Sequence, residues 1–301
     1  MRKLIFSLGG MIILSTLFLT NNVAQQITTV EKTEVYEKEH IPKKDPLPYP
    51  FVREGDVMWE KVVWRIINLR EKLNHPLYFP TTPSIGDRRS VVRLLLDVLE
   101  NQDPRYPVLA YSPWTDYEFE QIYSLQEIYR NINIDSIPEP VYDSITGQTV
   151  MKITSVEIRL EDVTNLLIKE KWFFDRKYST LNVRIIGICP VRVYPMEITD
   201  QFTGISTRTG DIRRTPLFWV YYPEVRYYFA RQEAYNSHND AQSISFDDIF
   251  QQRRFSSYIY RESNVYNNRD VQSYAKGLDK MFEAERIKQS IFEFEHDLWE
   301  Y

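Results

Sequence analysis

The residues of this chain with the means to do chemistry are two adjacent acid pairs, four histidines and one cysteine. Glu161-Asp162 and Asp247-Asp248 could in principle supply the carboxylate pair of a glycoside hydrolase, one acid protonating the leaving oxygen and the other serving as base or nucleophile. Each pair, however, stands at the start of a short helical segment, where acids stabilise the positive end of the helix dipole. Ser245 is placed to be the N-cap of the second segment. A structural role is the stronger expectation for both pairs.

His40, His75, His238 and His296 are scattered and lie in no HExxH or CxxC context, so no metal centre is expected. His296 follows Glu295 on the last helix, where a histidine serves the helix end. Cys189 closes the apolar run Ile185-Ile186-Gly187-Ile188-Cys189 with no histidine near it in sequence, and reads as a small buried side chain. A lone thiol closes no intrachain disulfide. There is no GxSxG elbow, and nine glycines make no phosphate cradle. The loop from Asn236 to Asp240 lacks the spaced acids and the glycine of a calcium loop, and turn chemistry accounts for it. No catalytic, cofactor-binding or metal residue is assigned, and an enzyme is not expected. What remains is aromatic excess: 21 tyrosines, with clusters at Tyr221-Tyr222, Tyr227-Tyr228-Phe229 and Tyr258 to Tyr266. Such residues anchor interfaces, and equally fill cores.

The elements that would position these residues begin after an export segment. Arg2 and Lys3 precede an apolar run from Leu4 to Leu19, and Val23-Ala24 ends the polar stretch that follows. That layout is a signal peptide over residues 1–24, with cleavage after Ala24, and implies a periplasmic or otherwise exported protein. No cysteine near that site offers a lipid anchor, and no later run is long enough to span a bilayer. Loss of Arg2 and Lys3 takes the formal net charge from −5 to −7, which argues against a nucleic-acid partner. Residues 25–55, with Pro42, Pro46, Pro48 and Pro50, read as a Pro-rich linker or docking segment.

Residues 56–301 are expected to form a single α+β domain, with a potential division near the loop-like stretch 138–149. Val62, Val63, Ile66, Ile67, Leu69 and Leu73 predict a first helix from Asp56, ended by Pro76. Val91, Leu94, Leu95, Val98 and Leu99 predict a second after Asp87, stopped by Pro104. Strands are expected at 106–111, 150–158 and 217–222, with a helix over 224–233. Leu166 to Phe174 and Leu181 to Tyr194 form an antiparallel hairpin about the polar connection Asp175 to Thr180. Val271, Tyr274, Leu278, Met281, Ala284, Ile287, Ile291, Phe294 and Leu298 predict one long amphipathic helix covering the sheet. The fold class is thus an antiparallel sheet with N-terminal helices and a long amphipathic C-terminal helix.

Several strings resemble the GldN (PorN) family of gliding-motility and type IX secretion proteins of Bacteroidetes. They are DVMWEKVVWRIINLREK at 56–72, KEKWFFDRKYSTLNVRIIGICPV at 169–191, LFWVYYPE at 217–224, NDAQSISFDDIF at 239–250, RRFSSYIYRESNVYNNR at 253–269 and FEFEHDLWEY at 292–301. The resemblance implies a non-enzymatic structural component in the periplasm, at the inner face of the outer membrane. It implies a ring-like complex with an outer-membrane lipoprotein of the GldK/PorK type, and contact with a motor-linked GldM/PorM protein. It carries no catalytic motif. Rivals from the residues alone are a periplasmic glycan-binding module built on the aromatic clusters, or a carboxylate-dependent hydrolase.

Overall fold

The computed structural model describes residues 40–81, 88–114, 119–132, 138–142, 149–153, 160–199, 206–236, 239 and 242–298. The expected signal peptide lies outside them. Residues 40–301 make one compact unit.

The framework is a seven-stranded, wholly antiparallel sheet. In chain order its strands are β1 (Val57–Asn68), β2 (Ala110–Tyr111), β5 (Val163–Asp175), β6 (Thr180–Thr199), β7 (Ser206–Pro216), β8 (Trp219–Tyr221) and β11 (Tyr258–Glu262). Six of them lie in the order β11-β1-β5-β6-β8-β2, and β7 pairs with β6 off this path. The expected hairpin is its centre: Phe174 faces Leu181, and Leu167 faces Cys189. Asp175 accepts the Lys177 backbone N–H at 2.9 Å and Ser179 takes a positive φ of 50°, which closes the turn. At 20 residues, β6 changes partner along its length, pairing β8 at Gly187–Ile188 and β7 from Val191 to Thr199. Two further small hairpins lie among the described residues: β3 (Pro138–Tyr142) with β4 (Thr149–Ile153), and β9 (Glu233–Ala234) with β10 (Ile244–Ser245).

The first expected helix is instead β1, which pairs Val63 with Glu170 and Ile67 with Leu166. Its later half is buried on both faces, so the apolar run is continuous and its spacing fits either period. The β-branched and aromatic content then favours the strand. Around the sheet lie α1 (His75–Tyr78), α2 (Val91–Glu100), α3 (Leu125–Ile132), α4 (Tyr222–Arg231), α5 (Phe246–Gln251), α6 (Val271–Tyr274) and α7 (Asp279–Asp297). The second expected helix is α2, capped by Ser90, whose Oγ accepts the Arg93 N–H at 3.2 Å. The helix expected over 224–233 is α4, which begins at Tyr222 and so shortens the preceding strand. The expected strand at 106–111 survives only as Ala110–Tyr111. The loop expected at 138–149 opens as β3, and the strand expected from 150 is β4, with 154–158 outside the described residues.

One face of the sheet carries the main core. Ile67, Leu166, Ile168, Ile188 and Val220 meet Leu95 and Leu99 of α2, Ile128 of α3, Tyr222 and Phe229 of α4, and Phe246 and Phe250 of α5. Beyond it on β1 and β11, Val63 and Ile259 meet Ala284, Ile287 and Ile291 of α7. Phe294 stacks on Trp59 with ring centroids 4.4 Å apart. The C-terminal helix is therefore long, amphipathic and docked, but not continuous. Gly277, at φ +60°, separates α6 from α7, and Leu278 and Met281 of the expected stripe face outward. The opposite face of the sheet buries a second set, Trp64, Ile66, Cys189, Trp219 and Tyr260.

Candidate functional site

The acid pairs hold structure together. Glu161 and Asp162 sit in a short 3-10 turn, and Asp162 pairs with the buried Arg192 at 3.3 Å. Asp247 and Asp248 open α5, where Ser245 and Asp248 form a reciprocal capping box. Asp247 is gripped by Arg226 through two hydrogen bonds of 3.0 Å and accepts the Tyr222 hydroxyl at 2.9 Å. Burial, with the Asp247 charge beside it, pushes the Tyr222 phenol well above its usual range. Burial disfavours an ionised Asp248, but hydrogen bonds from Lys44 and Ser245 outweigh it and hold that carboxyl below the usual carboxylate range. A hydrolase acid needs the reverse, a carboxyl kept protonated near neutrality. Glu224 is the one acid among the described residues that burial pushes upward, and one of its oxygens is buried without a hydrogen-bond partner there.

Cys189 has no exposed surface, and burial raises its thiol far out of the reactive range. The His75 ring lies 3.1 Å from the Arg70 carbonyl oxygen, His296 is exposed beside Phe292, and His238 lies outside the described residues. Among the described residues no group of three His, Cys, Asp or Glu side chains could hold a metal ion.

What the fold does assemble is a strap, residues 40–53, which runs in an irregular, extended course against the domain. Pro42, Pro46, Pro48 and Pro50 keep this segment out of regular ladders. Its anchors are the buried Ile41, Lys44 on Asp248 at 2.5 Å, Asp45 on Arg231 at 2.8 Å, and the Tyr49 hydroxyl accepting from Gln251 at 2.9 Å. The Tyr49 ring faces two guanidiniums, Arg226 at 4.3 Å and Arg184 at 5.1 Å. Arg184 also donates to the Pro50 carbonyl and lies 5.3 Å from the Phe173 ring. Between strap and sheet is an open cleft of about 530 Å³, lined by Tyr49, Arg53, Lys171, Phe173, Arg184 and Tyr221, among others.

The strap's partners are distant in sequence. Arg226 and Asp247 are 21 positions apart and Lys44 and Asp248 are 204 apart, so no local spacing announces either pair. The one available signal was charge inside an apolar strand. Glu170 in β5 has no exposed surface and is bracketed by Arg253 at 2.9 Å and Arg65 at 3.2 Å. The aromatic clusters divide: Tyr222 and Phe229 are core, while Tyr258 and Tyr266 are exposed.

No curated protein matches the chain. Residues 52–300, from the end of the strap through the sheet to α7, match the family model described as "Gliding motility associated protein GldN". That span takes in almost all of the compact unit, and the chain therefore belongs to the GldN family of gliding-motility-associated proteins.

Proposed function

We propose that this protein is a non-enzymatic structural component of the type IX secretion and gliding-motility machinery. It acts in the periplasm, exported by residues 1–24, at the inner face of the outer membrane. There it forms a ring-like complex with a GldK/PorK-type lipoprotein and contacts a GldM/PorM-type protein of the motor side. The observation that carries this reading is the family match over residues 52–300. Two features support it. No helix among the described residues is long and apolar enough to cross a membrane, so attachment through a lipid-anchored partner suits the chain. Large apolar side chains also stand outward, among them Phe51 at 85% exposure and Leu278, Met281 and Phe282 at 70–71%. Outward apolar residues of this size suit contacts with other proteins, and modest contacts become strong when arrayed.

The test is affinity isolation of the tagged protein from native envelope, with mass spectrometry of what accompanies it. An outer-membrane lipoprotein and a motor-linked periplasmic protein are expected. Recovery of the protein alone after gentle solubilisation would overturn the scaffold reading and favour a glycan-binding module or a carboxylate-dependent hydrolase.

A further inference from the structure

We propose that the cleft between the strap and the sheet is a receptor for an acidic, aromatic-bearing extended peptide of a partner protein, with Arg184 as its carboxylate anchor. The proposal deepens the scaffold reading, on which it rests for the partner being a protein.

Three observations converge on Arg184. Its guanidinium packs against two aromatic rings, Tyr49 at 5.1 Å and Phe173 at 5.3 Å, which restrict its movement. It spends one nitrogen on the Pro50 carbonyl, and among the described residues no carboxylate pairs with it. A guanidinium has five donors in a rigid fork, so most of its hydrogen-bonding capacity is left for a planar anion. The rings make the group pre-organised, which lowers the ordering cost of binding.

The surroundings fit the same ligand. Arg53 and Lys171 stand on the lining with Arg184, against Glu54 and Glu60. Glu60 is already taken by Lys171 at 3.2 Å, whereas Arg53 is exposed and has no carboxylate partner among the described residues. The uncommitted charge of the cleft is therefore mainly positive, in a chain of net charge −5. Phe173, Tyr221 and Pro223 supply an apolar wall for a ring or aliphatic side chain next to the carboxylate. An extended peptide is favoured because one wall of the cleft is itself an extended segment. The strap lies along it in a proline-rich, extended course, and Arg184 reads one of its backbone carbonyls.

The experiment uses the full chain labelled with ¹⁵N-arginine, titrated with the peptide acetyl-Glu-Phe-Glu-Phe-amide and followed at the guanidinium signals. The Arg184 signal is assigned by its loss in Arg184→Met. The expected result is a saturable shift at Arg184, about tenfold weaker for acetyl-Gln-Phe-Gln-Phe-amide and weakened by salt. In Arg184→Met the remaining signals of the cleft, that of Arg53 among them, should no longer shift with the peptide, and a shift that persists there would overturn the proposal. Arg53→Ala, at an exposed position where folding is not at stake, should weaken it several-fold. Equal binding of the glutamine peptide, an equal shift with acetate alone, unchanged affinity in Arg53→Ala, or no shift up to about 10 mM peptide would each overturn the proposal. Because the assay uses purified protein, its failure leaves envelope co-isolation untouched, and the two readings fail separately.

Discussion

Arg226 holds Asp247 by two parallel hydrogen bonds of 3.0 Å, and each side chain is only 7% exposed. The pair ties α4 to the first turn of α5 beneath the strap, and the Tyr222 hydroxyl donates to the same carboxylate. Removing one partner of a buried pair leaves the other charge without compensation, at a cost of about 3–5 kcal/mol. Asp247→Ala should lower the unfolding free energy read from urea denaturation by that amount, while Asp247→Asn, which keeps an acceptor for Tyr222, should lose less. The double variant Arg226→Met/Asp247→Leu should be milder than Asp247→Ala, because no buried charge is stranded. If Asp247→Ala is instead near wild type, the pair contributes little to the fold.

Glu170 is a second such point. Its carboxylate accepts from Arg253 at 2.9 and 3.2 Å and from Trp172 Nε1 at 3.1 Å, and Arg65 lies against it on the neighbouring strand. Val63, which faces Glu170 across the strands, belongs to the α7 cluster, and Ile67, four residues on, to the main core. Glu170→Ala strands two guanidiniums and should cost about 3–5 kcal/mol in a denaturation experiment. Arg253→Met removes the more exposed partner and should cost less.

How far the sequence spoke depends on how local the deciding forces are. Ser245, Asp247 and Asp248 are a few residues apart, so the cap of α5 was legible from spacing alone. The β5–β6 hairpin was legible for the same reason, its polar turn lying between two apolar runs. β1 was not, because burial on both faces erased the alternation that marks a strand. The interruption at Gly277 was hidden by an apolar spacing that continues through it, although Leu278 and Met281 face outward. The strap's contacts were least legible of all. Tyr49, Arg184 and Arg226 come from three separate regions, and only tertiary structure brings them together.

Gly187 sits opposite Tyr221, where the Phe119 ring crosses β6. A Cβ at this position would stand 2.3 Å from Phe119 Cζ and 3.1 Å from the Val220 carbonyl oxygen. The first contact can be relieved by swinging the ring away, which would also withdraw Phe119 from Trp219 and Tyr221. Gly187→Ala should therefore destabilise by about 1–3 kcal/mol, the usual range for overpacking. It should also expose Cys189, which shares the Phe119 cluster, to a thiol reagent that fails to label the native wild-type protein. Labelling of Cys189 in the untouched wild type would show that this face of the sheet is open to solvent.

The strap latch should respond to acid. Lys44 Nζ lies 2.6 and 2.5 Å from the two oxygens of Asp248, linking the strap to the capping box of α5. Although burial opposes its ionisation, Asp248 is held below the usual carboxylate range by Lys44 and Ser245. A carboxyl with a depressed folded-state pKa contributes stability above its unfolded value of about 3.9, and loses it as pH falls through the folded value. Lys44→Met removes the strap's share of this while leaving Ser245 and Asp248 to cap the helix. At pH 7 the variant should be less stable than wild type by about 1 kcal/mol, as suits a pair partly open to solvent. The gap should begin to close as pH drops below about 4, and should be gone once pH has passed the lower, folded-state value of Asp248. A gap that persists unchanged into acid would mean that Lys44 secures the strap by packing its stem and not by its charge.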